Sequence, residues 1–83
     1  TRPITKKRFG QHFLKQPGVI QQLLTAIDPQ PQDLIVEIDP GLGALTYQLL
    51  PFCQQLHVVE IDRDLILPLQ QQAPSARHFT IHH

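Results

Sequence analysis

Glu37-Ile38-Asp39-Pro40-Gly41-Leu42-Gly43, answered further along by Val58-Val59-Glu60-Ile61-Asp62, decides the fold of this 83-residue chain. Each stretch places an acid at the end of an apolar run. Leu34-Ile35-Val36-Glu37-Ile38 has the continuous apolar character of a buried parallel strand. A glycine turn follows, then Ala44–Leu50 with the composition of a helix, then Leu56–Glu60 as the next strand. Strand, glycine turn, helix, strand and acid, in that order, are the layout of a nucleoside-cofactor pocket. The glycines let backbone approach a ligand, and an acid seventeen residues after Gly43 can accept hydrogen bonds from both hydroxyls of a ribose.

The spacing is E-x-D-x-G-x-G, which differs from the dinucleotide fingerprint G-x-G-x-x-G. No lysine follows to grip phosphate, so the turn is not a P-loop. Glu37, just ahead of the glycines, would repel a pyrophosphate. It suits a cofactor with a positive centre and an amino acid tail, which points to S-adenosylmethionine. The plain alternative, a tight turn in an α/β domain, accounts for the glycines but not for the ordered set.

Outward from this centre, Pro17 suits the first turn of a helix. Val19, Ile20, Leu23, Leu24 and Ile27 then mark one apolar helical face. Asp28-Pro29-Gln30-Pro31 ends it. Strands are expected at 34–38 and 56–61, and a third at His78-Phe79-Thr80-Ile81. Asp64 is placed to cap a helix over 65–72, which Pro68 should kink or loosen. Right-handed crossovers then give a parallel sheet of strand order 3-2-1, half of a doubly wound α/β domain. Such a half sheet leaves its first strand without an outer neighbour, an aggregation liability. The chain therefore reads as part of something longer.

The formal net charge is zero, yet the charges are segregated. Arg2, Lys6, Lys7, Arg8 and Lys15 fill an acid-free start, while all seven acids lie between Asp28 and Asp64. A basic, irregular arm over 1–15 ahead of a domain over 16–83 suggests a polyanionic partner. Cys53 is the only cysteine, which fits a packed core thiol in a reducing compartment. No apolar run is long enough to span a membrane, and no signal-peptide pattern is present. A cytoplasmic location is expected, with no membrane partner and no metal, since His12 has no second ligand at suitable spacing.

Lys6-Lys7-Arg8-Phe9-Gly10-Gln11-His12-Phe13-Leu14, EIDPGLGALT over 37–46 and VEIDRDL over 59–65 together closely resemble the rRNA adenine N6-dimethyltransferases that modify small-subunit rRNA. The resemblance spans nearly all of residues 6–83 and covers only the N-terminal part of a family member. It implies the N-terminal half of a Rossmann-like class I S-adenosylmethionine-dependent methyltransferase domain. It implies that Glu60 holds the cofactor's ribose, that Gln11, His12 and Leu14 fold over the cofactor, and that Gly41 and Gly43 line it. Glu37 would order the glycine turn on the sulfonium side. Lys6, Lys7 and Arg8 would contact phosphates of small-subunit rRNA in a ribosomal subunit precursor. Arg8-Phe9-Gly10 and Pro40-Gly41-Leu42-Gly43 favour this branch over the resistance type that modifies large-subunit rRNA. A non-catalytic RNA- or ribosome-binding module is the reading from another class.

Two departures stand out. Asp39 occupies the family's first glycine position in the cofactor site. If that position needs positive φ, Asp costs roughly 1–2 kcal/mol more than Gly. The acid that reads the cofactor's adenine, and the motif that holds the target amine, would both fall beyond residue 83, so no catalytic residue is expected within the chain.

Overall fold

The computed structural model describes residues 2–5, 16, 18–72 and 78–83. Four parallel strands form one sheet in the order β1-β2-β3-β4, with β1 at Arg2–Thr5, β2 at Leu34–Ile38, β3 at Gln55–Val59 and β4 at Phe79–His82. Helices α1 (Val19–Ile27), α2 (Thr46–Leu49) and α3 (Arg63–Gln72) make the crossovers. The run β4-β3-β2 is the expected 3-2-1 order.

The irregular reading of residues 1–15 is corrected at Arg2–Thr5. This segment pairs in parallel with β2 and supplies the outer neighbour that β2 was expected to lack. The cause lies in the backbone. An open β2 edge presents unpaired N–H and C=O groups, and four extended residues satisfy them. Pro3 has no N–H to donate and is tolerated because β1 is an edge strand. Lys6, Lys7, Arg8, Gln11, His12, Leu14 and Pro17 lie outside the described residues.

Strand register fixes the core. Ile35 pairs with Leu56 and Leu56 with Phe79, while Glu37 pairs with Val58 and Val58 with Ile81. Paired residues share a face, so these six side chains point the same way. Ile35, Leu56 and Val58 are fully buried there with Leu45 and Leu49. Ile20, Leu23, Leu24 and Ile27 of α1 pack against them, which confirms the apolar stripe. Each such aliphatic side chain contributes about 1.5–3 kcal/mol on burial. Tyr47 meets Phe79 edge-on at 6.5 Å and donates its hydroxyl to the Leu69 carbonyl, which ties α3 to the same face. Burial first, and the charge of Glu37 second, push the Tyr47 pKa up. The described helices thus cover one side of the sheet. Leu34, Val36, Ile38, His57, Val59 and His82 lie on the other.

Helix ends differ in detail from expectation. Asp62, not Asp64, caps α3: its carboxylate accepts the Asp64 N–H at 3.0 Å and its carbonyl accepts the Leu65 N–H. The helix runs through Pro68, which cannot donate to the Asp64 carbonyl. After α2 the chain tightens into a 3-10 turn over Leu50–Phe52, with Pro51 in its first turn, where a missing N–H costs nothing. β3 ends at Val59, so Glu60 stands just past the strand. Cys53 is buried, its thiol on the Leu49 carbonyl at 3.5 Å. Burial, and then Asp33, raise its pKa, as befits a core thiol.

Candidate functional site

Parallel strands bring their C-terminal ends to one edge of the sheet, where β2 passes into the glycine turn and β3 into Glu60. The turn is a left-handed excursion. Asp39 has φ 63°, Gly41 φ 61° and Gly43 φ 89°. The Asp39 N–H donates to the Val59 carbonyl at 2.9 Å, which clamps the turn to β3. The Gly43 N–H closes it on the Pro40 carbonyl at 3.0 Å, and the Gly43 carbonyl accepts the Tyr47 N–H at 3.1 Å to start α2. The condition set by the sequence at position 39 is therefore met: a non-glycine residue holds a conformation that L residues seldom adopt.

Glu60 is 1 % exposed and spans the gap between the two strand ends. One carboxylate oxygen accepts the Gly41 N–H at 3.2 Å and the other the Asp62 N–H at 3.0 Å. Its own N–H donates to the His82 carbonyl at 2.8 Å, so β4 helps to hold it. Glu60, Gly41 and the turn are thus brought together. The sequence did not foretell that the carboxylate faces inward onto the turn.

Glu37 is fully buried beneath the turn and accepts the Thr46 hydroxyl at 2.5 Å. That length is typical of a charge-assisted O–H···O bond. The bond joins the strand before the glycines to the first residue of the helix after them. Thr46, itself fully buried, is a site residue that sequence reasoning missed. The sequence reading began this helix at Ala44 and so did not single out Thr46, which the structure makes the first residue of α2. Thr46→Val keeps the shape and removes the donor. It should cost about 1.5–3 kcal/mol in urea unfolding, with Thr46→Ser close to wild type; equal stability of the valine variant would show that the bond contributes nothing.

Gly43 serves packing as well as conformation. A Cβ there would fall against the Tyr47 ring, inside contact distance. Its missing side chain makes room for the helix, while Gly41 presents its N–H to Glu60. Of the predicted site residues, Glu37, Asp39, Gly41, Gly43 and Glu60 converge on one turn; Gln11, His12, Leu14, Lys6, Lys7 and Arg8 are outside the described residues. No group of three or more metal-ligating side chains occurs among the described residues, and no described helix is long and apolar enough to cross a membrane.

A "Ribosomal RNA small subunit methyltransferase A" from Methylobacillus flagellatus is 58 % identical over 71 residues, covering 86 % of this chain and 28 % of the relative. One of the same name from Marinobacter nauticus is 52 % identical over 77 residues, covering 93 % of this chain and 28 % of the relative. The crystal structure of a dimethyladenosine transferase from Plasmodium falciparum superposes with a TM-score of 0.74 at 25 % identity, over 81 % of this chain and 26 % of that one. The chain thus spans a little over a quarter of the length of these relatives. The ribosomal RNA adenine dimethylase family matches residues 4–83, and with nearly the whole sequence inside that match the chain belongs to this family.

Proposed function

We propose that this chain is the S-adenosylmethionine-binding half of an rRNA adenine N6-dimethyltransferase acting on small-subunit rRNA in the cytoplasm. The observation that carries the reading is the Glu60 bridge to the Gly41 N–H across the ends of two parallel strands. The donor set fits the cofactor. A carboxylate offers about four lone-pair positions, and Glu60 commits one per oxygen to backbone, which leaves capacity for a ribose diol. The Gly41 bond is the longer of the two and the one that yields as the carboxylate turns outward. Glu37, locked by Thr46, places a negative group on the sulfonium side. The cofactor supplies an electrophilic methyl group for transfer to an exocyclic amine. The residues described here bind and orient; those that would extract the adenine and align N6 are assigned to the part of the relatives that this chain does not span.

Titration of S-adenosylmethionine, followed by calorimetry and by the Gly41 and Asp62 amide resonances, tests this. Binding should shift the Gly41 amide more than that of Asp62. Glu60→Gln, which keeps one acceptor oxygen, should weaken binding about tenfold, the worth of a charge-assisted hydrogen bond. Full affinity in Glu60→Gln would overturn the ribose assignment. No cofactor binding beside salt-sensitive RNA binding would favour the non-catalytic module, for which the acid at position 39 argues.

A further inference from the structure

We propose that the edge of β2 away from β3 is an acceptor site for a parallel strand, which Arg2–Thr5 fills as a placeholder and which a strand following β4 takes in a chain of the relatives' full length. The first observation is topological. β2, β3 and β4 step across the sheet in one direction, and β1 lies on the far edge of β2. Doubly wound sheets turn back after such a run, in the order 3-2-1-4-5-6, and place the fourth strand on the outer edge of the first. Here that position is held by Arg2–Thr5, paired from Arg2 with Ile35 to Thr5 with Ile38. One edge thus has two claimants. Pro3 makes them exclusive. A proline has no N–H to offer a further neighbour, so strands that carry one stay at sheet edges. β1 can end the sheet but cannot sit inside it, whereas the doubly wound order continues past this position.

The second observation is the uncovered face. Right-handed crossovers that step in one direction set the described helices on one side of the sheet. A return from β4 to the far edge of β2 reverses that direction, so the same handedness carries it across the opposite side. That side presents Leu34, Val36, Ile38 and Val59, with Ile38 38 % exposed. Its histidines already answer each other: His57 Nδ1 and His82 Nε2 share a hydrogen bond of 2.8 Å. Two ring nitrogens paired in this way cost less to cover than two left to water. The crossover and the strand that follows it therefore meet an apolar face and an edge that both suit burial.

The test is thiol crosslinking in a Cys53→Ala background that carries Thr5→Cys and Ile38→Cys, two positions paired across β1 and β2. A short bifunctional reagent such as dibromobimane should bridge the two cysteines in the 83-residue chain. The bridge should be lost in a chimera that continues from His83 into the remainder of the Methylobacillus flagellatus relative, with cooperative urea unfolding as the check that the chimera folds. Equal bridging in the folded chimera would make β1 a permanent strand and overturn the proposal, as would absence of the bridge in the 83-residue chain. A second measurement uses the chain alone. Deletion of residues 1–5 should open the β2 edge, seen as concentration-dependent self-association in sedimentation or as a lowered urea midpoint. A shortened chain that stays monomeric with an unchanged midpoint would show that the edge needs no occupant, which also overturns the proposal. Neither readout depends on S-adenosylmethionine, so failure here and failure of the cofactor assignment are distinct.

Discussion

Gly43→Ala should destabilise the chain by about 2–5 kcal/mol, the largest stability effect expected of any single methyl group here. Two costs combine. At φ 89° an L residue pays roughly 1–2 kcal/mol for the left-handed backbone. The new methyl also meets the Tyr47 ring, and overpacking typically costs about 1–3 kcal/mol. The ring cannot retreat freely, because its hydroxyl is tied to the Leu69 carbonyl and its edge to Phe79. A native domain holds only about 5–15 kcal/mol, and small ones sit at the low end, so the variant should be largely unfolded at moderate urea. A double-mutant cycle with Tyr47→Ala separates the two costs. In the alanine background Gly43→Ala should cost only the backbone part, about 1–2 kcal/mol. The same cost in both backgrounds would mean that the ring is not what excludes the methyl.

How much of this was legible beforehand depends on what carried each feature. β2, β3 and the stripe of α1 were legible because burial leaves a periodic mark on the side chains. Leu34–Ile38 is apolar throughout, and Ile20, Leu23, Leu24 and Ile27 recur at helical spacing. The glycine turn was legible because φ is positive at both Gly41 and Gly43. β1 was not, since Arg2–Thr5 is held by backbone pairing to an open edge, which demands no side-chain pattern. The cap of α3 shifted from Asp64 to Asp62 because both have the right chemistry, and only the path of the chain leaving β3 chooses between them. The inward turn of Glu60 was hidden for a similar reason. A strand-end acid announces its position, whereas its direction depends on where the Gly41 and Asp62 N–H groups fall. The His57–His82 pair, 25 residues apart in sequence, exists only through the register of β3 with β4.

Asp39→Gly should tighten S-adenosylmethionine binding by about fivefold to nearly a thousandfold while changing stability little. The two effects have different origins. Relief of the left-handed strain at φ 63° favours the glycine variant by roughly 1–2 kcal/mol. Glycine also frees the unfolded chain, which returns about 0.4–1 kcal/mol. The two largely cancel, so urea midpoints should stay close. Affinity has no such cancellation. The turn that carries Asp39 faces the strand ends where the methionine carboxylate of the proposed cofactor would lie. Two like charges about 4 Å apart repel by roughly 1 kcal/mol in water and roughly 4 kcal/mol at intermediate dielectric, which spans about fivefold to nearly a thousandfold in affinity. Asp39→Asn separates charge from shape, since it keeps the side chain and tolerates the left-handed backbone. If repulsion governs, Asn should recover most of the gain seen with Gly, and raising salt should narrow the difference between Asp and Asn. If Asp, Asn and Gly bind equally, the carboxylate does not face the cofactor, and the turn tolerates an acid at position 39. Calorimetric titration of the three proteins at two salt concentrations decides between these outcomes.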